Sequence, residues 1–375
     1  MHSRSWIHIY LSAVIIVIMV IGIVNYLVNP YNVFKPNHHT HYNRLKKDII
    51  SERMTYFYEM RYIRPQTLMV GTSRIGYFKS NTLKPYARSP IFNLTLAGSS
   101  VYEQRRYIEY AINHLPIKTV VWSLDFFSFN PIKEPYPAFS EDRLNHPLYL
   151  NDYTTALLSY RTFERSLKTL KINRINNPLD DNVSEYYEQH HYMDVQGQTL
   201  SHDEVRKNAN WTLNEYAHND SFLHAKEFRN PHAIDIKLAE VAYILHRCKE
   251  KHIRCLIYTS PVYREHLDMI YKIGLGDTYE YWKRGLAHIT NYWDFNTYNS
   301  LTENLMNFRD SSHMVSDNGR FIFTKLFNAA PYLGPDDFGY YATQENIEAH
   351  IKEQRRFVRP FVFHKEYPDS MKSAE

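Results

Sequence analysis

Four short apolar runs, each cut off by a small, hydroxyl-bearing or acidic residue, decide most of what this chain can become. Thr67-Leu68-Met69-Val70 stops at Gly71, and Ile91-Phe92-Asn93-Leu94-Thr95-Leu96 stops at Ala97-Gly98. Thr119-Val120-Val121-Trp122-Ser123-Leu124 stops at Asp125, and Ile253-Arg254-Cys255-Leu256-Ile257-Tyr258 stops at Thr259-Ser260-Pro261. Such runs are too short for helices and too continuously apolar for one-sided strands, so they read as strands buried on both faces. Between them lie stretches with helical spacing. Val101–His114 offers Tyr107, Tyr110, Ala111 and Ile112 to one face, and residues 232–251 are amphipathic. Strand alternating with helix predicts an α/β fold, a flavodoxin-like three-layer sandwich with a mainly parallel sheet. Residues 291–295 are expected as a fifth strand and residues 321–329 as a closing helix. In such sheets ligands sit beyond the carboxyl ends of the strands. Gly71-Thr72-Ser73, Ala97-Gly98-Ser99, Asp125 and Thr259-Ser260 are therefore expected on one rim.

The N-terminus is different in kind. Residues 7–28 contain no Asp, Glu, Lys or Arg. At about 1.5 Å per residue the run is long enough to cross a hydrocarbon core of about 30 Å. No small-x-small cleavage site follows it, which favours a retained membrane anchor over a signal peptide. Trp6, Tyr10, Tyr26 and Tyr31 flank it as an aromatic belt. Basic residues stand on both sides, Arg4 before and Lys35, Arg44, Lys46 and Lys47 after. A literal positive-inside count keeps the following domain in the cytoplasm, but long domains often cross regardless of charge, so charge does not fix the orientation.

Residues 29–60 are expected as a juxtamembrane linker with a helix over 45–62, and residues 61–330 as the α/β body. Within that body, residues 130–230 break the rhythm. They are rich in Asn, Asp, His and Tyr, with one helical stretch at 157–172, and read either as an insertion capping the rim or as a surface excursion. From 331 onward a peripheral appendage is expected, with a helix near 344–357.

The apolar fraction of 44% is that of a globular chain, and the net charge of +4 with no basic, aromatic-interleaved stripe argues against nucleic acid as a partner. The two cysteines, Cys248 and Cys255, exclude a disulfide framework and a four-cysteine zinc site. They are expected as buried free thiols, with a single disulfide as the alternative for an exported domain. The histidines at 38, 39 and 41 lack acidic or cysteine companions and read as linker rather than as metal ligands. No metal and no organic cofactor is expected.

Chemistry enters with two distant segments. Ser73 follows Gly71 at a strand-to-helix turn, where a tight reversal exposes a hydroxyl and brings backbone N–H groups close to it. A serine needs a base to take its proton and a carboxylate to orient that base. Asp310-Ser311-Ser312-His313 supplies both, at a spacing that puts the two side chains on one side of a turn. The competing reading is that Ser73 merely caps a helix. Arg74 is expected either to pair with Asp125 or to bind an anionic substrate group.

The order and context of these segments resemble the SGNH, or GDSL-like, hydrolase superfamily. Gly71-Thr72-Ser73 matches its nucleophile block and Asp310-x-x-His313 its terminal block. The resemblance implies Ser73 as nucleophile, His313 as base and Asp310 as its orienting partner. It implies oxyanion binding at Gly98 within the segment that begins at Asn93; Asn93, and Arg74 by its charge beside the nucleophile, are the further candidate oxyanion- or substrate-binding residues. Two departures stand out: Thr72 replaces the usual aspartate, and Asp125 stands where the family carries a Gly-x-Asn-Asp block. The closest flavour is that of membrane-anchored envelope members such as the D-alanyl transfer protein of teichoic acid synthesis and alginate-type O-acetyltransferases. This implies an extracytoplasmic esterase or O-acyltransferase acting on an acylated glycan, with an envelope-synthesis membrane partner. The missing asparagine donor sets a second expectation beside it, an inactive relative that binds glycan or acts as a scaffold.

Overall fold

The computed structural model describes residues 2–34, 42–43, 52–78, 80–146, 148–175 and 200–363. The histidine cluster at 38–41 and the first half of the helix expected from residue 45 lie outside them. The chain forms two compact units, one of residues 1–64 with 137–191 and one of residues 65–136 with 192–375.

The larger unit is built on a six-stranded sheet of β1 (Thr67–Gly71), β2 (Ile91–Thr95), β3 (Thr119–Leu124), β4 (Arg254–Thr259), β5 (Tyr292–Asp294) and β6 (Tyr340–Ala342). The spatial order is β2-β1-β3-β4-β5-β6, parallel throughout except for β6. Every residue of β1 and β3 is buried, as their unbroken apolar runs demand. Register aligns Gly71 with Thr95, Leu124 with Thr259, and Thr259 with Asp294. The segments that follow these strands consequently share one edge.

Helices in this unit are α3 (Ser73–Gly76), α4 (Val101–His114), α8 (His202–His218), α9 (Asp235–Glu250), α10 (Arg264–Lys272), α11 (Gly276–Ile289), α12 (Ser300–Glu303), α13 (Gly319–Leu326) and α14 (Ile347–Arg355). Helix α4 starts where Ser100 accepts from the Glu103 amide and ends at Leu115. Met69, Val121 and Tyr258 from the strands pack with Ile75, Phe78, Phe295, Ile322 and Phe323 in one apolar cluster. Each such side chain removed from water contributes about 1.5–3 kcal/mol. Buried Trp122 keeps its indole N–H satisfied by donating to Gln104 Oε1 at 2.7 Å.

Residues 335–355, expected as part of a peripheral appendage, join the sheet unit. Tyr340–Ala342 pairs antiparallel with β5, and the following helix supplies a buried partner to the sheet. Asp294, at the end of β5, accepts from Lys283 Nζ at 2.7 Å and Thr259 Oγ1 at 2.6 Å, and lies 3.0 Å from His350 Nε2 of α14. His350 stacks flat on Tyr340 of β6 at 3.9 Å. Burial alone would raise the Asp294 carboxyl, but Lys283 and His350 hold it down at about 2.

The smaller unit contains α1 (His2–Val28), α2 (Glu52–Ile63), α5 (Glu141–Asn145), α6 (Leu150–Leu158) and α7 (Tyr160–Ile175). The 24 residues Ser5–Val28 of α1 are long and apolar enough to cross a membrane. The chain leaves α1 through a structured turn rather than a loose linker. Asn29 and Asn32 adopt left-handed φ of 47° and 54°, and Asn29 Nδ2 donates to the Phe34 carbonyl at 2.7 Å. Asparagine tolerates that conformation better than most residues. Arg143 and Asp152 form a buried two-point ion pair at 2.6 and 2.9 Å that joins α5 to α6.

The stretch expected as one insertion, 130–230, thus divides. Residues 130–136 and α8 belong with the sheet, and α5, α6 and α7 belong with α1. Both cysteines are free thiols; Cys248 is buried and Cys255 partly so.

Candidate active site

Strand β1 ends at Gly71 because nothing larger fits there. A Cβ on it would stand 2.9 Å from Ser123 Cβ of the neighbouring strand. The chain then reverses through Thr72, in extended geometry, into the single turn of α3. The cap of that turn is Thr72, whose hydroxyl accepts from the Arg74 amide at 3.3 Å and also hydrogen-bonds Asp125 Oδ2. Ser73 is therefore relieved of capping, and its hydroxyl points elsewhere.

It points to His313. Ser73 Oγ lies 2.8 Å from His313 Nε2, and His313 Nδ1 lies 2.7 Å from Asp310 Oδ2. The other carboxylate oxygen, Asp310 Oδ1, accepts the backbone N–H groups of Ser312 at 2.6 Å and His313 at 2.9 Å. Burial by itself would push the Asp310 carboxyl up. The facing His313 and the two amides outweigh it and leave the group below the ordinary carboxylate range. An ionised carboxylate on Nδ1 favours the proton there and leaves Nε2 free to accept from the serine.

The Asp310–His313 loop is a closed turn. Phe308 and Met314 form an antiparallel bridge beneath it, and the Arg309 amide donates to the His313 carbonyl at 2.9 Å. Its two middle residues, both fully buried, hold it to the body. Ser311 accepts the Tyr263 amide on its carbonyl at 3.0 Å and meets His266 Nδ1 at 3.2 Å. Ser312 Oγ accepts from Arg74 Nε at 2.9 Å and lies 3.2 Å from the Tyr216 hydroxyl. Burial, together with the positive charge of the nearby Arg74, holds His266 well below its usual range, so it stays neutral. These anchors escaped the sequence reading, because serine carries no periodic or compositional signal.

Arg74 is buried with Asp125. Its Nη1 donates to Asp125 Oδ1 at 3.2 Å, and the guanidinium faces the rings of Phe127 and Tyr216, at 5.3 and 5.6 Å. The ion-pair alternative describes its position, and a substrate-binding role for Arg74 does not fit a guanidinium so enclosed. Asp125 thereby clamps both neighbours of Ser73, Thr72 through its hydroxyl and Arg74 through its charge. Tyr216 comes from α8, so this helix supplies one ring against the Arg74 guanidinium and one hydroxyl beside Ser312.

Gly98 has a φ of +63°, a left-handed value that glycine adopts without strain. Among the described residues, neither the Gly98 amide nor the Ser73 amide has a protein acceptor. Asn93 does not serve as a donor here, because its side-chain amide donates to the carbonyls of Ile75 at 3.1 Å and Phe78 at 3.0 Å. It fastens α3 to β2 instead. Tyr77 completes the surroundings, its ring centroid 4.8 Å from that of His313.

Among the described residues no group of three or more His, Cys, Asp or Glu side chains is arranged to hold a metal ion. No protein-family model matches the chain, and comparison with curated proteins returns no match. The geometry of the site is thus what speaks to function.

Proposed function

We propose that this chain is a membrane-anchored serine esterase or O-acyltransferase of the SGNH type, acting on acyl groups of a cell-envelope glycan or glycoconjugate from the extracytoplasmic side. The observation that carries the chemistry is the continuous hydrogen-bond chain from Ser73 through His313 to Asp310, at 2.8 and 2.7 Å. Ser73 Oγ attacks the ester carbonyl while His313 Nε2 takes its proton. The acyl group passes to Ser73, and His313 returns the proton to the departing alcohol. Water or a sugar hydroxyl then takes the acyl group by the same steps in reverse. The amides of Ser73 and Gly98 are the donors available to the oxyanion.

The strand order supports the finer fold reading. The series β2-β1-β3-β4-β5 is that of flavodoxin-like doubly wound sheets. In these, ligands bind where the chain switches direction, here between β1 and β3. Ser73 follows β1 and Asp125 follows β3. The apolar α1 supports the anchor, and the resemblance of the motifs supports the envelope setting.

Purified full-length protein is expected to hydrolyse a small acetyl ester, and Ser73→Ala to remove that turnover while leaving the thermal transition in place. Equal turnover with alanine at 73 contradicts the assignment. One observation favours a second reading: Asn93 and Asp125 are both engaged internally, so the oxyanion has backbone donors alone. Loss of a single donor costs on the order of 10²–10³ in rate. A glycan-binding protein with an idle triad predicts saturable glycan binding and no turnover in the same preparation.

A further inference from the structure

The turn joining α6 to α7 lies alongside α1, within the apolar span. Leu158 Cδ2 is 3.8 Å from where a Cβ on Gly22 would stand. Gly22 precedes the end of the span by six residues, about 9 Å along a helix axis. The span of 24 residues is about 36 Å long against a hydrocarbon core of about 30 Å. Even if the whole excess emerges at this end, Gly22 lies about 3 Å below the hydrocarbon surface. If none does, it lies about 9 Å below.

The side chains at the turn suit that depth. At the turn itself Leu158 is 54% exposed and Tyr160 68%, although they belong to the unit that carries the membrane span. A protein surface in water gains nothing from a leucine so displayed, whereas acyl chains cover it at no cost. Tyr160, with exposed Arg161 beside it, matches the boundary where aromatic rings and cations meet lipid headgroups.

The backbone carries the stronger evidence. Irregular backbone at membrane depth is tolerated only where its polar groups find partners inside the protein. The Thr155 carbonyl accepts from the Ser159 amide at 3.2 Å and the Thr162 hydroxyl at 2.7 Å. The Leu157 carbonyl accepts from Asn25 Nδ2 at 2.8 Å, and the Ser159 carbonyl from the Phe163 amide at 3.1 Å. Asn25, a polar residue within the span, is in turn used up: its Oδ1 accepts from Ser166 Oγ at 2.9 Å. The Ser159 and Phe163 amide bonds are those of any helix end; it is the side chains of Thr162 and Asn25 that cover the remaining lone pairs of the Thr155 and Leu157 carbonyls, where a turn in water leaves this to solvent.

We propose that the α6–α7 turn dips beside α1 into the outer hydrocarbon layer of one leaflet, giving the protein a second, non-spanning membrane contact. Its occupant is lipid: acyl chains against Leu158, phosphate headgroups at Tyr160 and Arg161.

The test uses the full chain purified into phosphatidylcholine vesicles that contain a phosphatidylcholine with a photoreactive diazirine on its acyl chain. After irradiation, adducts are mapped by peptide mass spectrometry. Adducts are expected on α1 and on the peptide covering Leu150–Leu158 and Tyr160, and at background on peptides from α9. In Leu158→Asp the α6–α7 peptide is expected to fall to the α9 level while α1 keeps its adducts. Adducts confined to α1 in the wild-type chain overturn the proposal, including the case in which another protein covers this turn in the cell. So does an α6–α7 signal that the aspartate leaves unchanged. Absence of adducts on α1 itself overturns both the anchor and the dip.

Discussion

At the residue scale the site rests on a division of labour among neighbours. Thr72 caps α3, which leaves Ser73 free to meet His313, and Asp125 holds the residues on either side. Asp310→Asn keeps the shape but loses the charge that holds the imidazole proton on Nδ1. Turnover is expected to fall by about 10³–10⁴-fold, with the melting transition little moved. A fall of tenfold or less means that Asp310 does not orient the base. Asp125→Ala tests the clamp differently. It leaves the Arg74 guanidinium buried without its carboxylate, which destabilises by about 3–5 kcal/mol. Replacing both members, Asp125→Ala with Arg74→Met, is expected to recover part of that loss, as read from urea unfolding. If the double variant is as unstable as the single one, the charge is not what matters there.

This scale was only half legible in the sequence. Ser73 stood out because it follows an apolar run that stops at Gly71, and Asp310 and His313 because their three-residue spacing puts both on one side of a turn. The anchoring by Ser311, Ser312, His266 and Tyr216 did not, because contacts between residues distant in the chain leave no pattern in spacing. Asn93 shows the converse: its place before Gly98 suggested a donor, while its amide is taken by the carbonyls of Ile75 and Phe78.

At the element scale, strands ended by a small or acidic residue were readable, since an unbroken apolar run has few other solutions. β6 was not. Tyr340-Tyr341-Ala342 is a three-residue edge with one exposed face, and only β5 makes it a strand. Its attachment runs through Asp294, so that residue predicts how the edge behaves. Asp294→Ala strips the buried Lys283 of its counter-ion, at a cost of about 3–5 kcal/mol. Acid acts on the same group. Its folded pKa of about 2 lies below an unfolded value of about 3.9. The stability it confers is thus complete above about pH 4 and lost as pH falls towards 2, on the order of 2 kcal/mol in all. Acid titration of the unfolding free energy should show this loss in the wild-type chain and a shallower one in Asp294→Asn. Equal slopes would sink the assignment.

At the scale of the molecule, the chain is two compact units threaded through one another in sequence: residues 1–64 join 137–191, and the sheet unit takes the rest. Composition alone could not show that division. Nothing in the string of residues 130–230 marks the division, whereas the contacts of Asn25 with the Leu157 and Ser159 carbonyls and of Phe34 with Tyr153 show where α6 and α7 belong. The sheet unit, by contrast, follows from its rhythm, and it brings residues 240 positions apart in sequence within hydrogen-bond reach. That meeting of Ser73 and His313 is the centre of the functional account. It is tested most directly by treating the full-length protein at neutral pH with a serine-reactive fluorophosphonate and locating the adduct by mass spectrometry. The account predicts a single adduct on Ser73, abolished by prior denaturation and strongly slowed in His313→Ala. Labelling that spares Ser73, or that proceeds equally fast without the imidazole, contradicts it.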